Sequence, residues 1–174
     1  MPGRTGWCLI ADSCPLAGDI LVEIGSALSS DRLPLIDLYL SVHAQTSKLD
    51  LAKRTLIERT VDANLLLAAH SPRDLLFLKS TTDGETNGIG LGRRRSGGRY
   101  SLEIIVDARC LRRGIGRAML HELVGRCRNL GAVEACGHIY RHNAASIALF
   151  RSAGFTLRGQ IKGSDMIEFV KLLG

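Results

Sequence analysis

The order of helical and strand-like periods along the chain predicts one α/β (α+β) domain, running β-α-α-β-β-β-α-β-α-β-β. Three observations carry that reading. Two helical stripes lie within the first seventy residues. Three short strand-like runs separated by turn residues follow them. Beyond residue 106, helical and strand-like periods alternate to the end. A length of 174 residues suits one domain with one sizeable core. We therefore take 1–174 as a single unit, with 1–70 holding the first strand and two helices and 75–172 holding the rest.

The first strand is read over 19–24, an apolar and partly β-branched run bounded by Gly18 and Gly25. Over 31–44, Leu35, Leu38, Tyr39 and Val42 recur at threes and fours, a helical period. A second helix is read over 49–61 from Leu49, Ala52, Leu56, Thr60 and Val61, and 64–69 reads equally as helix end or strand. Ser71-Pro72 closes that segment. Strands follow over 75–79, 87–92 and 100–106, with turns at 82–85 and 96–98, and a three-stranded antiparallel meander is their simplest assembly. A helix over 114–129 places Ile115, Met119, Leu123 and Cys127 at regular fours, and Gly131 stops it. A strand over 132–140 comes next. Asn143 is suited to cap a short helix ending at Ala153, with Arg151 in its last turn and Gly154 just past it. Strands over 155–157 and 166–172 close the domain.

Composition narrows the function classes. Apolar residues make up 45% and charged residues 23%, values of a folded rather than disordered chain. No apolar run reaches the roughly eighteen residues a membrane span needs, and Asp12 interrupts the apolar run after Trp7, which makes a poor signal peptide. The five cysteines are odd in number and form no C-x-x-C pair. That argues against a disulfide framework and against a zinc site, and for a reducing, cytoplasmic setting. The charge of +6 and a pI near 9.4 suit an anionic cofactor, an acidic partner or nucleic acid, and equally a solvated basic surface.

The sharpest local feature joins the strand ending at Val106 to the following helix: Arg112-Arg113-Gly114-Ile115-Gly116-Arg117. A helix N-terminus carries unsatisfied N–H groups and positive partial charge. Arginines there oppose the helix dipole by roughly a few tenths of a kcal/mol each. An anion docked on the turn removes the conflict, because arginines and backbone donors then act together. Gly114 and Gly116 lack Cβ and allow close backbone approach.

About thirty residues beyond Gly114 comes Asn143-Ala144-Ala145-Ser146-Ile147-Ala148-Leu149-Phe150-Arg151-Ser152-Ala153-Gly154-Phe155. With this pair of motifs the chain resembles the GNAT superfamily of N-acetyltransferases. That family carries Val-x-Pro-x-x-Arg/Gln-x-x-Gly-x-Gly after its fourth strand and Asn-x-x-Ala/Ser-x-x-Leu-Tyr-x-x-x-Gly-Phe after its fifth. The resemblance extends from about residue 75 to 172. It implies a mixed, mostly antiparallel central sheet flanked by helices, with an acyl-CoA-binding core over 75–172 and acceptor-side helices before it. It implies acetyl-CoA (or another acyl-CoA) as co-substrate, with no metal. The backbone of Ile104, Ile105 and Val106 would pair with the pantetheine arm. The turn amides of Arg112, Arg113, Gly114, Ile115, Gly116 and Arg117 would hold the pyrophosphate. Asn143 would contact the cofactor arm as well as cap its helix. Three positions depart from the family. Leu111 stands for the usual Arg or Gln, and Ala108 for the usual Pro. Phe150 stands where many members have the Tyr that protonates the departing thiolate, and with Ile147 it is read as core packing.

Acyl transfer to an amine needs a base, a polarised carbonyl and a proton for the thiolate. His138 is the first candidate base. It shares a strand face with Glu134, Cys136 and Tyr140. It also lies five residues before Asn143, where the similar ribosomal-protein N-terminal acetyltransferases place a catalytic Glu. An imidazole titrates near neutrality. A half-buried structural histidine explains the position equally well. Glu103, a carboxylate within the apolar run 102–106, is the second candidate, and an exposed strand-face residue is its alternative. Tyr140 could supply the proton that Phe150 cannot.

The expected function is acetyl-CoA-dependent transfer of an acyl group to a primary amine by direct attack in a ternary complex. Small-molecule and protein amines both stand as acceptors, small molecules ahead. A non-catalytic acyl-CoA sensor and a protein N-terminal or lysine acetyltransferase are the alternatives. Arg93-Arg94-Arg95-Ser96-Gly97-Gly98-Arg99 offers one adjacent aromatic, Tyr100, too few for base stacking, so nucleic acid is set aside. Gly88-Ile89-Gly90-Leu91-Gly92 does not fit a dinucleotide loop ahead of a helix. Similar proteins are commonly dimers, which leaves a homodimer open, and no membrane association is expected.

Overall fold

The computed structural model describes residues 8–10, 22–46 and 51–174. The elements are β1 (Cys8–Ile10), β2 (Val22–Ser26), α1 (Arg32–Thr46), α2 (Leu51–His70), β3 (Leu75–Thr82), β4 (Glu85–Arg95) and β5 (Arg99–Val106). They continue with α3 (Ile115–Asn129), β6 (Glu134–Tyr140), α4 (Ala144–Ser152), β7 (Thr156–Gln160) and β8 (Met166–Leu172). The strands form one sheet in the order β1-β2-β3-β4-β5-β6-β8-β7. Only β5 and β6 run parallel among these neighbours. The mixed, mostly antiparallel α/β architecture is the one the sequence predicts.

Several elements differ from the sequence reading. β1 precedes the expected order; a three-residue strand is too short to show a period of two. Residues 19–21 of the expected first strand lie outside the described residues, and β2 continues to Ser26. Leu49, the expected start of the second helix, also lies outside them. The ambiguous stretch 64–69 is helical, because Ile57, Val61, Asn64 and Leu65 form one buried stripe of α2. That stripe is turned from the expected one, and Leu56 is exposed.

Each face of the sheet carries its own core. On one face Leu35, Leu38 and Tyr39 of α1 and Val61 and Leu65 of α2 cover Phe77, Ile89 and Leu91. On the other, Ile115, Met119, Leu123 and Cys127 of α3 pack with Leu78, Tyr100, Leu102 and Phe169. β4 divides between them by alternation. Ile89 and Leu91 enter the first core, while Gly88, Gly90 and Gly92 face the second. A Cβ at Gly90 would lie 3.1 Å from Met119 Cε and 3.2 Å from Leu123 Cδ1. The glycine row therefore lets α3 settle directly on the sheet backbone, and this accounts for the G-x-G-x-G pattern that fits no nucleotide loop.

The ladder between β5 and β6 contains only Arg99↔Glu134, Tyr100↔Ala135 and Ser101↔Cys136. β5 stays paired with β4 as far as Val106↔Gly88, and β6 with β8 as far as Tyr140↔Met166. The two parallel strands thus part after Ser101 and Cys136. Between them they leave a gap edged by 102–106 on one side and 137–140 on the other.

Candidate active site

The turn beyond β5 is built on Asp107. This buried carboxylate accepts the backbone N–H of Arg109 at 2.8 Å and its guanidinium at 2.7 Å. The guanidinium holds the carboxyl below the usual carboxylate range, against the opposing effect of burial. The chain then passes through two left-handed residues, Arg112 (φ 63°) and Gly114 (φ 80°), into α3. For a residue with a Cβ that conformation costs about 1 kcal/mol or more, so the strain is confined to Arg112. The first bond of α3 runs from the Ala118 N–H to the Gly114 carbonyl at 3.0 Å. Among the described residues, the N–H groups from Arg112 to Arg117 find no acceptor outside the helix ladder. Arg112, Arg113 and Arg117 are exposed around them. Free donors, a helix N-terminus and three exposed arginines thus fall within one six-residue turn, a combination suited to an anion. Leu111, the departure from the family pattern, is exposed there and supplies no polar group.

This turn lies at the mouth of the gap. A Cβ on Gly116 would lie 3.4 Å from Leu149 Cδ2 of α4 and 3.6 Å from Val106 Cγ2 of β5. The start of α3, the end of β5 and α4 therefore meet beside the opening. Asn143 caps α4, its Oδ1 accepting the Ser146 N–H at 3.0 Å. Phe150 is buried. Its ring meets Phe155 edge-on at 4.9 Å and lies against Gly137, where any Cβ would overlap it. Ile147 packs against the same core.

Glu103 stands on the β5 wall of the gap and His138 on the β6 wall, each two residues past the last ladder pair, Ser101↔Cys136. Both are exposed and both stand on the face that α1 and α2 cover elsewhere. Tyr39 of α1 is buried close to Glu103. Burial pushes its phenol far above the usual range, the Glu103 charge adds to this, and Arg93 opposes it. Tyr140 is half exposed at the rim, its ring stacked on His142 at 5.5 Å.

Beneath His138 lies a charge network that spans four strands. His138 Nε2 is 3.5 Å from Glu168 Oε1 on β8, and its side chain is 43% exposed. Arg99 of β5 donates to Glu168 at 2.7 Å and to Glu134 at 2.6 Å. Arg158 of β7 donates to Glu134 and reaches Glu168 at 3.5 Å. The hydrogen bond from Arg158 holds the buried Glu134 carboxyl below its usual range, against burial and with help from Arg99. Burial pushes the neighbouring Cys136 thiol up. The ligand atoms of Cys136, His138 and Glu168 all lie within 4.8 Å of one another. However, both Glu168 oxygens face guanidiniums, so the arrangement is a hydrogen-bonded ion network before it is a metal cradle.

Glu168, Arg99, Arg158 and Tyr39 join the site only in the folded structure. Glu134 did appear on the face of His138 by alternation. Glu168 could be found only from the pairing of β6 with β8, and Tyr39 reads as one member of an apolar helical stripe.

The profile of the acetyltransferase (GNAT) family matches residues 49–155. The chain belongs to the GNAT family. An L-methionine sulfoximine/L-methionine sulfone acetyltransferase of Salmonella typhimurium is 35% identical to it over 112 residues, which is 60% of this chain and 66% of that protein. The matched stretch thus falls just short of two thirds of that relative's length. Among solved structures, the PaiA N-acetyltransferase of Thermoplasma acidophilum in complex with coenzyme A superposes with a TM-score of 0.72. It is 17% identical and covers 87% of this chain and 98% of its own. The YncA protein of Salmonella typhimurium, with its cofactor acetyl-CoA, gives a TM-score of 0.69 at 21% identity, covering 88% and 94%. At these identities the structures speak for the GNAT fold. Among the described residues no helix is long and apolar enough to cross a membrane.

Proposed function

We propose that this GNAT chain is an acetyl-CoA-dependent N-acetyltransferase acting by direct attack of a primary amine in a ternary complex. The observation that carries the reading is the parting of β5 from β6 beside a turn of free N–H groups and arginines. The gap exposes a strand edge at Ile104, Ile105 and Val106, along which an amide-bearing pantetheine arm adds as a further strand. The pyrophosphate then rests on Arg112 to Arg117, and the thioester reaches the level of Glu103 and His138.

In this arrangement the acceptor enters from the α1–α2 face. His138 takes the proton of the substrate ammonium, and Glu103 is the second candidate for that role. The freed amine attacks the thioester carbonyl, forming the C–N bond as the C–S bond breaks. A backbone N–H near Val106 polarises the carbonyl oxygen. The thiolate takes its proton from Tyr140 or from water, since Phe150 is in the core and has none to give, and the second proton that the nitrogen sheds on becoming an amide restores that donor through solvent. Small amines are the first acceptors to test, and the 35% identical relative, named for L-methionine sulfoximine and sulfone, supports beginning with amino-acid-like amines. The arginine run 93–99 is largely engaged within the molecule. Arg93 bonds Asn64 at 3.0 Å, Arg94 lies 3.7 Å from Asp74, and Arg99 bonds Glu134 and Glu168. That supports a structural role for the run over a nucleic-acid platform. The test is acetyl-CoA-dependent release of free CoA across a panel of amines. Turnover with any of them supports the enzyme; tight acetyl-CoA binding with no turnover on small or protein amines supports the sensor reading instead.

A further inference from the structure

We propose that Glu168 is the positioning residue for His138: its carboxylate, at ion-pair distance from Nε2, selects the Nε2–H tautomer and leaves Nδ1 as the proton acceptor for the substrate ammonium. This rests on the reading of His138 as the base. The geometry is built across strands. Glu168 and His138 are direct partners in the β6–β8 ladder, and Nε2 stands 3.5 Å from Oε1. A neutral imidazole carries one N–H, and which nitrogen bears it follows from the partner of the other. A carboxylate is an acceptor only, so it selects the tautomer with hydrogen on the nitrogen facing it. When the ring gains the substrate proton, the same carboxylate faces the resulting imidazolium.

Glu168 is itself fixed. Arg99 donates to the same Oε1 at 2.7 Å and Arg158 approaches Oε2 at 3.5 Å, while both guanidiniums are anchored on the buried Glu134. Two ion pairs on an exposed surface would add little to stability. Here the pairs interlock on one carboxylate at the base of the gap, which fixes its orientation. The charged and titratable groups around the imidazole are Glu168 on β8, Glu134, Cys136 and Tyr140 on β6, Arg158 on β7, and Arg99 and, across the gap, Glu103 on β5. Of these, among the described residues, Glu168 is the one within ion-pair distance of the ring.

The test is a double-mutant cycle on the full-length chain, with ring 15N spectra of His138 alongside. Glu168→Gln should lower kcat about tenfold or more while KM for acetyl-CoA stays unchanged. In the His138→Ala background the same substitution should cost nothing further, because residues acting as a unit are not additive. The spectra of the unsubstituted protein should place hydrogen on Nε2, and Glu168→Leu should return the ring to the tautomer mixture of free imidazole. Glu134→Gln, which loosens the arginines without touching the ring, should keep the Nε2–H tautomer. Equal losses from Glu168→Gln in both backgrounds would overturn the proposal, as would hydrogen on Nδ1 in the unsubstituted protein. That last readout stands even if a Glu168 variant fails to fold. If His138→Ala alone keeps full activity, the base assignment falls, and the spectra still report whether Glu168 orients the ring.

Discussion

His138 and Glu103 stand on opposite walls of the gap, and a single substitution separates their roles. General-base catalysis contributes a factor of about 10² to 10⁴, so His138→Ala should lower kcat/KM by at least the lower figure with acetyl-CoA affinity little changed. His138→Gln should not restore the rate, because an amide takes no proton near neutrality. If His138→Ala keeps most of its activity, the base is Glu103 or water, and Glu103→Gln decides between them by steady-state kinetics. Gly137 gives a residue-scale test of packing. Its missing Cβ makes room for the Phe150 ring, so Gly137→Ala should destabilise by roughly 1–3 kcal/mol through overpacking. Urea unfolding measures this, and a neutral result would mean the ring is free to move.

The turn between β5 and α3 is the element on which the proposed acetyl-CoA binding rests. Gly114 sits at φ 80° in the middle of the donor array. Gly114→Glu adds a disfavoured conformation and a negative charge where a pyrophosphate is expected, and it should abolish acetyl-CoA binding in calorimetry while circular dichroism stays native. Normal binding by the folded variant would place the pyrophosphate elsewhere. This element was legible in the sequence because glycine spacing, arginines and a helix start coincide within a few residues. The α3 stripe of Ile115, Met119, Leu123 and Cys127 was equally legible, since every fourth residue is buried. The α2 stripe was not. Apolar Leu56 and Leu66 are exposed, whereas polar Asn64 is buried, so its period points away from the face that packs. The charge network was invisible for a different reason. Arg99, Glu134, Arg158 and Glu168 lie on four strands, and their meeting depends on a strand order, β5-β6-β8-β7, that no local pattern encodes.

For the whole molecule, two buried carboxylates, Glu134 and Asp107, should contribute to the acid limit of stability. Glu134 and Asp107 both hold their protons less tightly when folded than an ordinary carboxyl does. Such groups contribute stability that is fully present above the unfolded carboxyl value, about 4, and lost as pH falls from there through the folded values. Stability should therefore be flat with respect to these groups near neutrality and fall below about pH 4. Glu134→Gln should lower the melting temperature at pH 7 and flatten that acid slope. An unchanged slope would mean the Arg99–Glu134–Arg158 cluster does not persist in solution. Whether the gap and its arginine turn hold acetyl-CoA is read from the melting temperature with and without that ligand. A ligand at one hundred times its Kd stabilises by about 2.7 kcal/mol, which for a domain of this size is a rise of roughly 5–10 °C. Millimolar acetyl-CoA should give such a rise, and Gly114→Glu should lose it. No rise for the folded, unsubstituted protein would contradict acetyl-CoA binding in the gap.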